Sequence, residues 1–384
     1  MNILKPSKKQ LEFMDWEFGV FFHFGIRTYY EDHTDWDGVP MDISVFNPSE
    51  LDCRQWIKTA KSAGAKYAVF TAKHHDGFAN WDSAYTDCSV KNTPYKHDIV
   101  RSFTDACREY GIKTGIYYSP AQFGSKADEN YDDYFINQIT ELLTSYGKID
   151  YLWFDGCGSE GHEYDTKRII KTIRTLQPEI LIFNMWDPDT RWVGNEDGYA
   201  PENNLNVTDK LDFSVMTDKK DSLGRKAFLP AECDCRIRDS WFYRSEEKPK
   251  SLEKLMDMYE CSVGHGANLL LNLSPDEHGL IPDEDVRRMK ELGEKIKSEY
   301  GCPIIAFEGE RIPLDGKTTI SRAVICEDLS DGQNVRTFEI LADGKSIFTG
   351  STIGHKRLCR FKPVSPGRIE IKTDAAARLK TELF

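Results

Sequence analysis

The chain has 384 residues, 40% of them hydrophobic and 29% charged, which is ordinary for a folded globular protein and long enough for a large barrel plus a small second domain. A formal net charge of −13 argues against nucleic acid and anionic membrane surfaces as partners and leaves a neutral ligand such as a sugar unaffected. No apolar run reaches the ~18 residues of a membrane span. The segment Met1-Asn2-Ile3-Leu4-Lys5-Pro6 does not read as a signal peptide, and the 10 Cys are scattered without a Cys-x-x-Cys pair, so the expectation is a cytoplasmic protein with reduced, mostly buried thiols.

In chain order, Gly19 to Phe22 reads as a first buried strand ending at His23. Arg27 to Pro40, which contains Asp35 and Trp36, reads as a long loop at the same end. Leu51 to Gly64 is helical, with Trp56, Ala60 and Ala63 on one face. Tyr67 to Ala72 is the second strand and runs into Lys73-His74-His75-Asp76-Gly77-Phe78. Ile99 to Tyr110 carries the stripe Ile99, Phe103, Ala106, Cys107 and Tyr110, with Gly111 as its stop. Lys113 to Tyr118 is the third strand. Tyr131 to Tyr146 is a strong amphipathic helix stopped by Gly147. Tyr151-Leu152-Trp153-Phe154-Asp155-Gly156 is a buried strand with one carboxylate at its end. Helix Thr166 to Leu176 and strand Ile180 to Asn184 follow.

Strand and helix thus alternate at least four times, the mark of a parallel sheet with crossover helices. Beyond Asn184 the pattern loosens. Met185 to Leu205 is loop-like, Asp212 to Met216 and Phe228 to Glu232 are short strands, Leu252 to Val263 is a helix, Asn268 to Leu273 a strand and Asp283 to Tyr300 a charged helix. From about Gly301 short alternating segments are separated by turns such as Ser330-Asp331-Gly332, which reads as a small sandwich. The expected fold class is α/β: a (β/α)8 TIM-like barrel over residues 1–300, followed by a C-terminal all-β sandwich over 301–384.

In such a barrel the C-terminal strand ends face the active site. His23, His74, His75, Asp76, Tyr117, Tyr118, Asp155, Asn184 and Glu232 would converge there. A ring of His, Tyr, Trp and carboxylates suits a neutral polyhydroxylated ligand. Two carboxylates in such a pocket suggest glycoside hydrolysis. Asp155 is the candidate nucleophile, with a helix N-cap as its bland alternative. The acid is Glu196, with Trp192 and Val193 nearby, or Glu232 in Pro230-Ala231-Glu232. No metal or cofactor is expected: adjacent residues on a strand point to opposite faces, and His74-His75 has no His-x-His companion. A barrel hydrolase for another sugar and a silent carbohydrate-binding protein stay open as alternatives.

Phe22-His23-Phe24-Gly25, Lys73 to Phe78, Trp153-Phe154-Asp155-Gly156 and Gly264 to Leu273, in that order, resemble the α-L-fucosidases of glycoside hydrolase family 29. The resemblance spans essentially the whole chain. It implies the same barrel and sandwich, and a retaining reaction on a fucosylated oligosaccharide with Asp155 as nucleophile. It implies sugar contacts from His23, His74, His75, Trp153 and Tyr117. Arg191 to Glu196 and Pro230 to Tyr243, with Trp241, resemble the branch that prefers α-1,3/1,4-linked fucose, whose acid/base carries over to Glu196. The acidic residue and Trp of the first loop carry over to Asp35 and Trp36, with Asp where the family pattern has Glu. Oligomeric state is not legible.

Overall fold

The computed structural model describes residues 4–32, 38–122, 130–156, 162–214 and 217–384, so Asp35 and Trp36 lie outside the described residues. Helix α1 (Lys8–Trp16) precedes strand β1 (Phe18–Phe22). Then come α2 (Cys53–Ser62), β2 (Tyr67–Lys73), α3 (Ile99–Tyr110), β3 (Lys113–Tyr118), α4 (Tyr131–Ser145), β4 (Tyr151–Phe154), α5 (Thr166–Leu176) and β5 (Leu181–Phe183). The alternation read from the sequence holds through this stretch. Side-chain caps start α2, α3 and α5, where Asp52, Asp98 and Asp165 each accept from a first-turn N–H.

The second half departs from a strict alternation. β6 (Arg191–Trp192), the hairpin β7 (Val207–Ser214) and β8 (Thr217–Phe228), and β9 (Ala231–Arg236) follow without an intervening α-helix among the described residues. Helix α6 (Leu252–Ser262), β10 (Asn268–Asn272) and α7 (Asp283–Tyr300) complete this part. The expected strand Phe228 to Glu232 is divided: Phe228 ends β8, and β9 starts only after Pro230, which has no N–H to give a ladder.

Eight strands form one parallel sheet in the order β5-β4-β3-β2-β1-β10-β9-β6. A bridge between Phe183 and Thr190 joins the two edges, so the sheet nearly closes into a barrel. Asn184 makes the return: at φ 54° it turns the chain, its N–H donates to Thr190 O, and its Oδ1 accepts from Trp192 N at 3.0 Å. Asn184 is thus committed to closing the barrel.

Side chains alternate along each strand. Inward residues Phe21, Tyr67, Val69, Tyr117, Tyr151, Trp153, Phe183, Trp192 and Leu270 fill the barrel, and Phe13 and Trp16 of α1 plug its lower end. Outward residues such as Phe22, Phe70, Ile116, Leu152 and Ile182 pack under the helices. Gly19 has a packing reason: a Cβ there would lie 2.4 Å from the Tyr67 ring on the paired strand.

Past α7, strands β11 (Ile305–Glu308), β12 (Arg311–Pro313), β13 (Ile320–Glu327), β14 (Phe338–Ala342), β15 (Lys345–Gly350), β16 (Arg357–Val364), β17 (Arg368–Thr373) and β18 (Leu379–Leu383) make two antiparallel sheets, β11-β18-β13-β16 and β12-β17-β14-β15. One core, including Ile325, Cys359, Leu383, Ile340 and Ile371, lies between them. Arg360 pairs with Glu260 of α6 and Arg322 with Glu299 of α7, which fastens this sandwich to the helical shell.

Candidate active site

The site is best built from strand parity. On β4, Tyr151 and Trp153 point inward, and two residues further Asp155 stands at the mouth. Asp155 does not cap α5, whose N-cap is Asp165, ten residues later. Tyr117 Oη donates to Asp155 Oδ2 at 2.9 Å, and His75 Nε2 lies 3.6 Å from the same oxygen.

Beneath Asp155 runs a stack of rings from four successive strand positions. His74 lies over Tyr117 with an interplanar angle of 10°, Tyr117 over Trp153 at 24°, and Trp153 over Phe183 at 12°. Register explains it, since Tyr117 pairs with Trp153 and Trp153 with Phe183. These offset stacks make a rigid floor.

His74 and His75 correct an expectation. Their rings are 4.3 Å apart rather than on opposite faces. They follow β2 just after a register irregularity between Thr71 and Lys73, and such a bulge re-aims the side chains beyond it. Tyr118, grouped with the mouth residues by sequence, points outward and donates to Gln138 of α4. Asp76 accepts from Phe78 N in a tight turn.

The hydrogen-bond network assigns tautomers. Asn272 Nδ2 donates to Trp241 O and Ser274 Oγ, so its Oδ1 faces His23 Nδ1 at 2.8 Å, and that nitrogen carries the proton. Burial pushes His23 down to about 3, so the ring is neutral and Nε2 is an acceptor. Ser119 Oγ gives its proton to Ala121 O and therefore accepts from His75 Nδ1 at 2.7 Å. Burial also holds His74 well below the usual range, and its Nδ1 is buried with no partner among the described residues. The neutral imidazoles of His23 and His74 are what a hydroxyl-rich ligand needs.

β9 supplies a column on its inward face: Glu232, Asp234, Arg236. Glu232 is 0% exposed and receives Tyr67 Oη at 2.6 Å, Trp153 Nε1 at 2.8 Å and Tyr151 Oη at 3.3 Å. Burial outweighs those donors and pushes its carboxyl up to about 7. It lies inside the barrel, under the ring stack. Asp234 is also buried and accepts from Trp192 Nε1 at 2.6 Å; burial, then the nearby Glu196 charge, push its carboxyl well above the usual range. Arg236 reaches the mouth, where Nη1 lies 3.6 Å from Glu196 Oε2 and the guanidinium sits 5.1 Å from the Trp241 ring centre. Trp241 in turn packs 4.9 Å from His23.

The structure therefore brings Asp155, His23, His74, His75, Tyr117, Trp153 and Trp241 into one contact network, which Arg236 extends to Glu196. The Asp155 and Glu196 side chains are 26% and 27% exposed. Sequence reasoning missed Asn272, Ser119, Asp234, Arg236 and Phe242, whose ring meets His23 and His74 edge-to-face; Asp234 and Arg236 lie on the inward face of β9. Strand parity was the available signal for Asp234 and Arg236, which sit two and four places beyond Glu232.

Partly open carboxylates above aromatic rings, at the strand ends of a barrel, are the equipment of a glycoside hydrolase. Comparison with known proteins narrows the class. The α-L-fucosidase family model matches residues 30–299. Alpha-L-fucosidase 1 of Arabidopsis thaliana is 31% identical across 94% of this chain and 83% of its own length. A crystal structure of a glycoside hydrolase family 29 member from an unknown rumen bacterium is 34% identical, with a TM-score of 0.86 over 100% of this chain and 77% of that one. A family 29 fucosidase of Ruminococcus gnavus in complex with fucose shares the fold, with a TM-score of 0.84 at 24% identity over 99% of this chain and 95% of its own. This chain belongs to the α-L-fucosidase family and is a glycoside hydrolase.

Proposed function

We propose that the protein is a retaining exo-α-L-fucosidase that releases α-1,3- or α-1,4-linked fucose from branched oligosaccharides. Asp155 attacks the anomeric carbon while Glu196 gives its proton to the departing glycosidic oxygen, which leaves a fucosyl ester on Asp155. Glu196, now a carboxylate, takes a proton from water. The water oxygen bonds to the anomeric carbon, and Asp155 is released with fucose in its original configuration. The observation that carries this reading is the Tyr117–Asp155 hydrogen bond at the mouth, beside three histidines. A carboxylate held there by a phenol donor is aimed for attack.

Glu196 is favoured over Glu232 by access. A group that must meet a leaving oxygen and a water has to reach the pocket, and Glu232 is wholly enclosed by Tyr67, Tyr151 and Trp153. The linkage preference rests on the Arg191-to-Glu196 and Trp241 patterns. His23 Nε2 and the unpartnered His74 Nδ1 are assigned to fucose hydroxyls. The decisive experiment measures fucose release from a branched Lewis-type trisaccharide by wild type and Asp155→Asn. Release by wild type and loss of several orders of magnitude in the variant are expected. Turnover of an α-1,2-fucoside alone would overturn the linkage assignment, and an active Asp155→Asn variant would overturn the nucleophile.

A further inference from the structure

His23, His74 and Asp155 account for the part of the mouth assigned to fucose, and Arg236 stands next to it. The inward face of β9 carries Glu232, Asp234 and Arg236, so four residues lift Arg236 ~13 Å above the enclosed Glu232. In register it meets Asn272 of β10, whose Oδ1 faces His23. Its side chain is only 30% exposed, and its guanidinium lies against Trp241, 5.1 Å from the ring centre. Trp241 thus touches both His23, at 4.9 Å, and Arg236.

Two features set this arginine apart. The first is its donors. A guanidinium carries its N–H groups along its edges, and stacking on a ring leaves those edges open. Among the described residues none of them has a hydrogen-bond acceptor: Glu196 Oε2, 3.6 Å from Nη1, is an ion-pair partner too distant for a hydrogen bond. Arg238, two positions on, is the contrast, because Asp285 and Glu284 accept from its fork. The second feature is the neighbour. An acid that protonates a glycosidic oxygen stands beside the bond that breaks, and the leaving sugar begins at that oxygen. With Glu196 as the acid, a donor 3.6 Å from its carboxyl is within reach of the leaving sugar.

We propose that Arg236 determines specificity for the leaving group: its guanidinium, held flat by Trp241, donates to oxygens of the sugar from which fucose is released. This rests on Glu196 as acid/base and on a branched oligosaccharide as substrate. When Glu196 carries the proton it is about to give, Arg236 loses its ion-pair partner, and the oxygens of the leaving sugar supply acceptors in its place. An aryl fucoside has no such oxygens, so Arg236 favours oligosaccharides over aryl fucosides. A role confined to holding Glu196 differs in one respect: it acts on proton transfer and leaves binding untouched.

The test is made in the whole chain. In Asp155→Asn, which binds without turnover, calorimetric titrations with the Lewis-type trisaccharide and with L-fucose are compared before and after adding Arg236→Met or Arg236→Gln, two side chains that remove the fork differently. Each should weaken trisaccharide binding about 10- to 100-fold, the range for losing a charge-assisted hydrogen bond, and leave L-fucose binding unchanged. With Asp155 intact, kcat/KM should fall by a similar factor for the trisaccharide and stay within about twofold for an activated aryl fucoside. Unchanged trisaccharide binding overturns the proposal and leaves Arg236 a positioning residue for Glu196. Equal weakening of L-fucose overturns it too, since the arginine then serves the fucose ring. Failure of the underlying assignments shows elsewhere: wild type releases no fucose from the trisaccharide, or azide does not restore turnover in Glu196→Ala.

Discussion

Tyr117 and His75 address one and the same oxygen of Asp155: the phenol donates to Oδ2 at 2.9 Å, and His75 Nε2 faces it at 3.6 Å. The phenol is the donor that orients the carboxylate. A hydrogen bond to a charged group contributes ~1.5–3 kcal/mol. Tyr117→Phe keeps the ring in its stack and removes only that donor. We expect kcat/KM to fall by roughly 10- to 100-fold with little change in melting temperature. An unaltered kcat/KM would mean that the bond does not serve the reaction.

Glu196 and Glu232 are separated by the product each variant makes with azide. In Glu196→Ala, azide should restore turnover of an aryl fucoside and yield the α-fucosyl azide, since it attacks the intermediate from the face that water uses. In Asp155→Gly the azide attacks the substrate directly and should give the β-anomer. Glu232→Gln should show no such rescue. It should instead lower stability by about 1–3 kcal/mol, because an amide cannot accept on both sides from Tyr67 and Trp153. Rescue of Glu232→Gln with α-azide formation, and none for Glu196→Ala, would exchange the two assignments.

Much of this site was legible because period-two strands carry their own orientation. Once Tyr151 to Asp155 reads as a strand, Tyr151, Trp153 and Asp155 must share a face, and the structure stacks them on one wall of the barrel. Helices Thr166 to Leu176 and Asp283 to Tyr300 were legible to the residue, because caps and breakers bound them. Three things escaped. The α1 plug carries a weak apolar stripe, and only the barrel's open lower end explains Phe13 and Trp16. The return through Asn184 needs a left-handed residue and a partner eight positions on, which no local period encodes. The bulge before His74 reverses the alternation rule where it mattered most. Glu232 shows the converse: it reads as the mouth end of a strand Phe228 to Glu232, whereas it is the second residue of β9 (Ala231–Arg236), deep in the barrel.

Gly19 tests the packing account. It faces Tyr67 in register, and an added methyl would lie 2.4 Å from that ring. Gly19→Ala should cost about 1–3 kcal/mol through overpacking. It should also displace the Tyr67 hydroxyl from Glu232, so Gly19→Ala combined with Tyr67→Phe should lose less than the sum of the two single changes. Strict additivity would show that the ring moves without disturbing the carboxylate.

Acid stability follows from the buried imidazoles. His23 lies at about 3 in the folded chain against 6.5 when exposed, and His74 is also depressed, both through burial. The unfolded chain therefore binds more protons, and this contribution is full above about 6.5 and lost as the pH falls toward 3. Glu232 works in the opposite sense: raised from 4.5 to about 7, its contribution is full below 4.5 and lost as the pH rises through 7. Between 4.5 and 6.5 two imidazoles oppose one carboxyl, and below 4.5 the imidazoles act without that opposition. Each group in its window changes the unfolding free energy by ~1.4 kcal/mol per pH unit. Urea titrations of wild type and His74→Gln from pH 4.5 to 5.5 should accordingly differ in slope by about that amount, the variant falling less steeply. Parallel profiles would mean that His74 is solvated and charges freely in the folded protein, and its assignment as a neutral hydroxyl partner would fail with it.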